Sequence, residues 1–316
     1  MNINELTPTQ DWVGERKNYI GGSEVAAILG ESQYGTPLQV WMKKKGILPP
    51  EEENPIMAFG HYFEPVMAAH FENITGLKTR KLSKPFVHKK HDFLRANIDR
   101  QVLASRSFGL ESTAVLELKT TTSQRLRALD GQPPEEWMYQ IQHYLALTGY
   151  EVAFLQIYER DTCHFHEPML VTRDEDLIIE IESKLVEWWN TFMTDESVDG
   201  EGRRPEPMNG EDALLLYPES DSGKVLEVTP KAYEYYTELQ EVRGKKSDLT
   251  EQEEYLKTKL KDHLGTVERL VLAGKNLVSW KSQTTNRFDV SAFRREHPVF
   301  YKQFTKTQST RRFLCH

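Results

Sequence analysis

The stretch VLELKTTTSQR, residues 115–125, decides how this chain is read, because a glutamate and a lysine interrupt what otherwise reads as an aliphatic core strand. Side chains alternate faces along a strand, so Leu116 and Leu118 share one face while Val115, Glu117 and Lys119 share the other. Pattern alone describes a half-exposed strand with leucines inward and charges outward. The rest of the chain supplies a reason to read the two charges differently.

With 316 residues, 38% hydrophobic and 28% charged, the composition is that of a soluble globular protein with one large domain or two smaller ones. No apolar run approaches the length that spans a bilayer, and the opening MNINELTPTQDW lacks the basic and apolar regions of a signal peptide, so the cytoplasm is the expected compartment and no membrane is expected as a partner. Cys163 and Cys315 are the only cysteines, which supports neither a disulfide framework nor a zinc site. The net charge of -8 argues against generic nucleic-acid binding, but it averages blocks of opposite sign. Residues 76–109 hold nine Lys/Arg against Asp92 and Asp99, and 281–316 hold eight against Asp289 and Glu296, while 174–222 hold fifteen acids against three bases. Two basic blocks on an acidic chain suit a polyanion bound locally.

SEVAAILG reads as a short helix with Ser23 as cap and Gly30 as stop, and TPLQVWMKKKG as a second with Thr36 as cap and Gly46 as stop. PPEEENP is a loop, and helical spacing runs from Ile56 to about Ile74, with Glu64 inside. Residues 82–88 and 93–103 are expected as two strands joined by the basic HKKHD turn, followed by the 115–121 strand. PPEEWMYQIQHYLALTG is a helix, VAFLQIYE and HFHEPMLV are strands, and a further amphipathic helix spans about 174–192. This predicts an α/β core, a central mixed sheet flanked by helices, over residues 1–200. A Gly/Pro/acid-rich linker over 201–228 then leads to a C-terminal extension over 229–316, with a charged helix to about residue 263, a hairpin and a basic aromatic tail.

Four segments of the core offer residues of one chemical kind: Glu64, Asp99 in RANIDRQV, Glu117 with Lys119, and Gln140 with Gln142 in YQIQHYL. Carboxylates with one lysine at a sheet suit Mg²⁺-assisted phosphodiester cleavage, because Mg²⁺ takes few hard oxygen ligands and leaves room for water and phosphate. In this reading Glu117 holds metal, with the Leu118 carbonyl a further candidate ligand, and Lys119 holds water or phosphate. Gln140 and Gln142 lie two apart on a helix and cannot both face one metal. His61, His143, His164 and His166 lack the companions of a zinc site and are expected to be exposed or hydrogen-bonded.

Asp99 followed by Glu-Leu-Lys at 117–119 resembles the PD-(D/E)XK nuclease signature, with NID in place of the eponymous Pro-Asp. RKNYIGGSEVAAILG, FGHYFEPVMAAHFENITG, LRANIDRQV, VLELKTTTSQR and YQIQHYLALTG, in that order, resemble the YqaJ-like family of viral recombinases that includes phage lambda exonuclease. The resemblance covers residues 12 to about 170. It implies a PD-(D/E)XK nuclease core with Glu64, Asp99, Glu117, Lys119 and Gln140 at the metal and catalytic centre. Arg16, Ser23 and Arg125 would line a pocket for a 5′-phosphate. Mg²⁺, with Mn²⁺ as substitute, is the implied cofactor. The implied substrate is double-stranded DNA ends, resected 5′ to 3′ in phage or prophage recombination inside a bacterial host. A single-strand annealing protein is the implied partner and a ring trimer the implied assembly. The alternatives are an endonuclease on the same core and a non-catalytic protein that binds DNA ends or recruits partners.

Overall fold

The computed structural model describes residues 16–49, 54–194, 203–306 and 311–315. The N-terminal MNINELTPTQDW, part of the PPEEENP loop and residues 195–202 at the start of the acid-rich connection lie outside the described residues. The chain divides into two compact units, Met1–Tyr217 and Pro218–His316.

The first unit begins with a 3-10 turn, Arg16–Asn18, and helices α1 (Gly22–Leu29), α2 (Pro37–Lys45) and α3 (Pro55–Thr75). Short strands follow, β1 (Thr79–Arg80), β2 (Phe86–Val87), β3 (Arg95–Ala96) and β4 (Arg100–Val102), and then the long β5 (Ala114–Thr121). Helices α4 (Ser123–Ala128) and α5 (Glu135–Thr148) lead to β6 (Val152–Glu159), β7 (His164–Phe165) and β8 (Met169–Thr172), and α6 (Glu175–Phe192) and α7 (Gly210–Leu216) close the unit. The main sheet is mixed, in the order β1-β4-β5-β6-β7 with β8 also on β6. Strands β5 and β6 pair in parallel from Val115↔Ala153 to Thr121↔Glu159, and the other pairs are antiparallel. A parallel pair needs a crossover, which α4 and α5 supply.

Both faces of β5 are covered, so its charges do not point to solvent. Leu116 packs with Phe71 of α3, Val102 and Leu77, whereas Val115 packs with Trp137, Ile141 and Leu145 of α5. Glu117 continues the α5-covered face and is 1% exposed. The half-exposed strand that its pattern describes is therefore not what forms.

The expected strands at 82–88 and 93–103 appear as short pieces, because residues 97–99 leave the ladder and the Asp99 carboxylate takes a backbone N–H from β5 instead. HFHEPMLV splits at Glu167 and Pro168, where proline has no N–H for a ladder. Helix α1 starts at Gly22, and Glu24 rather than Ser23 returns to the capping position, accepting from Gly21 N at 2.9 Å. Thr36 caps α2 as expected, accepting from Gln39 N at 3.2 Å. Helix α7 lies in the stretch read as linker, and its fully buried Asp212 accepts from Thr36 Oγ1, Gln39 Nε2 and Met208 N, each at 2.9 Å.

The second unit holds the 35-residue helix α8 (Pro230–Leu264), the antiparallel hairpin β9 (Arg269–Leu272) and β10 (Lys275–Ser279), and helices α9 (Val290–Glu296) and α10 (Pro298–Phe304). Thr229 caps α8 by accepting from Ala232 N at 3.2 Å. Among the described residues of α8 only Leu264 is buried. The tail aromatics pack locally, with Phe288 and Phe293 ring centroids 4.9 Å apart and the Arg294 guanidinium 4.4 Å from the Tyr301 ring centre. No described helix in either unit is long and apolar enough to cross a membrane.

Candidate active site

The buried face of β5 meets one face of α5, where Trp137, Gln140 and Tyr144 recur at helical spacing. Lys119 Nζ lies 2.7 Å from Glu117 Oε1 and donates to Gln140 Oε1 at 2.9 Å. Gln140 Nε2 donates to the same Glu117 oxygen at 2.9 Å and to the Tyr144 hydroxyl at 2.8 Å. Lysine, glutamate and glutamine thus form a closed triangle anchored in the core. Asp99 joins from the β3–β4 connection, its Oδ2 accepting from Leu118 N at 2.8 Å.

The charges act on one another strongly. Burial, and then the neighbouring Glu117 carboxylate, push the Asp99 carboxyl well above the usual carboxylate range, against the pull of Lys119. Burial alone would lower the Lys119 ammonium, but Glu117 and Asp99 outweigh it and hold the lysine above its usual value. Lys119 therefore stays a cation through neutral pH, available to stabilise negative charge that develops on a phosphoryl group.

Glu64 occupies the expected helix but is held by other partners: Lys81 at 3.1 and 3.3 Å and Arg100 at 3.7 Å. Its charge still reaches Asp99, adding to the upward push on that carboxyl. Gln142 turns away, donating to the Thr172 carbonyl at 2.8 Å and accepting from Asp174 N at 3.0 Å. His143 Nε2 lies 3.0 Å from the Arg95 carbonyl. His164 is exposed and His166 pairs with Glu159 at 2.9 Å, so neither suggests a zinc ligand.

Arg16 Nη2 donates to Ser23 Oγ at 2.8 Å, which brings together two of the three residues expected at a phosphate pocket. Because Glu24 takes over the cap, the exposed Ser23 hydroxyl is released for this contact. Arg125, the third, is engaged at 2.5 Å by Glu136 and lies 5.0 and 5.4 Å from the Tyr34 and Trp137 ring centres. Its Nε is buried without a hydrogen-bond partner. The helix that carries it is capped from outside by Asp161, which accepts from Ser123 N at 2.8 Å and Ser123 Oγ at 2.6 Å.

Sequence reasoning missed Tyr144, which connects the two clusters. Its hydroxyl meets Gln140, and its ring lies so close to α1 that a Cβ on Gly22 would sit 2.3 Å from it, so only glycine fits there. The signal was present as the i, i+4 spacing of Gln140 and Tyr144 in YQIQHYL. Glu136, one turn before Gln140, was missed as well, and it is the residue that engages Arg125.

The donors suit a small divalent cation. Glu117 Oε2 is buried and has no hydrogen-bond partner, an open acceptor beside a carboxyl that burial and like charge have stressed. Among the described residues no three His, Cys, Asp or Glu side chains converge as a ready-made metal cluster. Mg²⁺ tolerates such a partial set because it keeps waters and takes only one or two carboxylates along with substrate oxygens.

A mixed sheet with Glu-x-Lys on its long strand, an aspartate reaching it from the β3–β4 connection and a glutamine above it from the crossover helix matches a PD-(D/E)XK-like core. Residues 11–151 match the YqaJ-like viral recombinase domain. The chain is 28% identical over 309 residues to the "Uncharacterized protein YqaJ" of Bacillus subtilis (strain 168), covering 96% of this chain and 92% of that one. Among solved structures, the alkaline exonuclease LHK-Exo of Laribacter hongkongensis is 20% identical, with 58% of this chain and 93% of that chain covered and a TM-score of 0.48. A phage-related exonuclease of Haemophilus somnus 129PT is 12% identical, with 62% and 100% covered and a TM-score of 0.41.

Proposed function

We propose that the chain is a Mg²⁺-dependent exonuclease that degrades one strand of double-stranded DNA from the 5′ end, exposing single strands for phage-type recombination. The observation that carries this reading is the Glu117–Lys119–Gln140 triangle with its open Glu117 oxygen and adjacent Asp99. Asp99, Glu117 and the Leu118 carbonyl would hold the ion, with Glu64 as a further ligand once released from Lys81. The ion, when bound, polarises the scissile phosphate and activates water. Lys119 places a fixed positive charge beside the reacting phosphoryl group, and Gln140 holds both Lys119 and Glu117 in register. Arg16 and Ser23, with Arg125 released from Glu136, would grip the terminal 5′-phosphate through paired guanidinium hydrogen bonds and so set polarity.

Release of nucleotides from linear duplex DNA in Mg²⁺, with supercoiled circular DNA in a parallel reaction, tests the activity. Loss of the linear form with the circle intact is expected. Nicking of the circle at a similar rate makes the protein an endonuclease instead, and no release from either refutes catalysis. Polarity is tested separately with linear DNA whose ends carry either 5′-phosphate or 5′-hydroxyl, and equal rates on both remove the proposed pocket. By the family resemblance, a single-strand annealing protein is the proposed partner and a ring of three the proposed assembly, read out by co-purification and by mass in solution.

A further inference from the structure

Lys44 is the middle of three consecutive lysines in α2, and it alone is buried, at 5% exposed, while Lys43 and Lys45 face solvent. Its ammonium carries three protons and is surrounded by acceptors from two segments. It donates to the Arg16 carbonyl at 3.0 Å and to the Tyr19 carbonyl, and it contacts Glu24 Oε1 and Oε2 at 3.1 and 3.0 Å. Glu24 Oε2 in turn accepts from Gly21 N at 2.9 Å. The same stretch is tied to the sheet, since Ile20 N donates to the Phe93 carbonyl at 2.6 Å and Arg95 N to the Ile20 carbonyl at 3.0 Å.

Taking two charges out of water is costly, and a buried ion pair can often be replaced by apolar residues of similar volume with no loss of stability. Stability alone is therefore a weak reason for a charge here. Geometry gives a better one. Lys44 holds the backbone of Arg16 directly, and through Glu24 it holds the first turn of α1, where Ser23 sits. These are the two ends of the 2.8 Å contact between the Arg16 guanidinium and the Ser23 hydroxyl. The cluster of Arg16, Lys44 and Glu24 also keeps one net positive charge, which favours an anion.

We propose that Lys44 is a positioning residue for the phosphate pocket: paired with Glu24, it fixes Arg16 and Ser23 relative to each other, and thereby sets the preference for a phosphorylated DNA end. This rests on the reading of Arg16 and Ser23 as ligands of the 5′-phosphate. Lys44 does not touch the DNA in this account. It acts by removing the freedom that Arg16 and the start of α1 would otherwise lose on binding.

The test is equilibrium binding of blunt duplexes carrying 5′-phosphate or 5′-hydroxyl, followed by fluorescence anisotropy in EDTA so that no cleavage intervenes. The variants are Lys44→Met, Lys44→Arg, Arg16→Ala and the double variant Lys44→Met/Glu24→Gln, which leaves neither charge unpaired. Wild type is expected to favour the phosphorylated end. The double variant, with its melting temperature retained, should bring the ratio of affinities to within about twofold of one, a residual difference of no more than about 0.4 kcal/mol. Its affinity for the hydroxyl end should change far less, and Lys44→Arg should restore part of the preference. A folded double variant with the wild-type ratio overturns the role of Lys44, and if Arg16→Ala abolishes the preference in the same experiment the pocket itself stands. Equal binding of both ends by wild type overturns the pocket and the inference together. A double variant that melts far below wild type shows the pair to be structural, which also overturns the proposal.

Discussion

His143 makes the fold's dependence on acidity predictable. It lies on α5 beside Tyr144, is 2% exposed, and its Nε2 meets the Arg95 carbonyl, which can only accept, so Nε2 carries the proton when the ring is neutral. Burial lowers its pKa from 6.5 to about 4. The unfolded chain therefore takes up a proton near pH 6.5 that the folded chain resists until about pH 4. Stability from this group is intact above that window, falls as the pH drops through it, and is lost in full below it. The difference is worth about 3 kcal/mol at about 1.4 kcal/mol per pH unit. For a unit the size of Met1–Tyr217, that is a shift of about 6–12 °C in melting temperature. The perturbation is His143→Gln, which keeps an N–H donor and removes the titration. Thermal melts of wild type and variant by circular dichroism, at about pH 7.5 and about pH 4, cancel the carboxylates common to both. Wild type should lose about 6–12 °C more than the variant on acidification. Melting temperatures that fall in parallel would refute the reasoning.

Asp99→Asn should raise the melting temperature at neutral pH while abolishing degradation, since burial and Glu117 disfavour the ionised carboxyl in the fold and that cost grows as pH rises; an unchanged or lower melting temperature would count against it. Lys119→Met strands Glu117 in the core, with a cost of about 3–5 kcal/mol in denaturant melts and loss of cleavage but not of DNA-end binding. Near-wild-type turnover in that variant would remove lysine from the mechanism. Ca²⁺ in place of Mg²⁺ should support binding without efficient cleavage, because its looser coordination positions water and phosphate poorly; brisk cleavage in Ca²⁺ would contradict the assignment. Removing residues from 265 onward should weaken DNA binding and flatten its salt dependence, with metal-dependent chemistry retained, as measured by titration at several salt concentrations.

The sequence exposes what is local and hides what depends on distant contacts. Alternation was enough to place Glu117 and Lys119 on one face of β5, and helical spacing was enough to separate Gln140 from Gln142. Neither could show that α5 covers the charged face, because which side of a strand a helix packs on is set by a crossover and its long-range contacts. Asp99 was legible as a residue but not as a break in a strand, since its partner, Leu118 N, is nineteen positions away. Lys44 stands among three consecutive lysines with nothing in the sequence to set it apart, and only the fold of the segment 16–24 shows that it is buried. Ser23 was expected to cap its helix, but Glu24 competes for the same duty one residue later. Arg125 sits on a six-residue helix whose cap comes from Asp161, thirty-eight positions on, and no local pattern announces that.

The buried carboxylate of Asp212 bears on where this protein can be shortened and where evolution can splice it. A chain ended near residue 200, where the composition turns acidic, would strip the Thr36 hydroxyl and the Gln39 amide of their acceptor at the very start of α2, the helix that carries Lys44. One ended after Tyr217 keeps that joint whole. The exchangeable junction between the first unit and the extension therefore falls beyond α7. Relatives with different C-terminal additions should graft there without disturbing the far side of the fold, and a library of such chimaeras would sort into soluble and insoluble members at that residue.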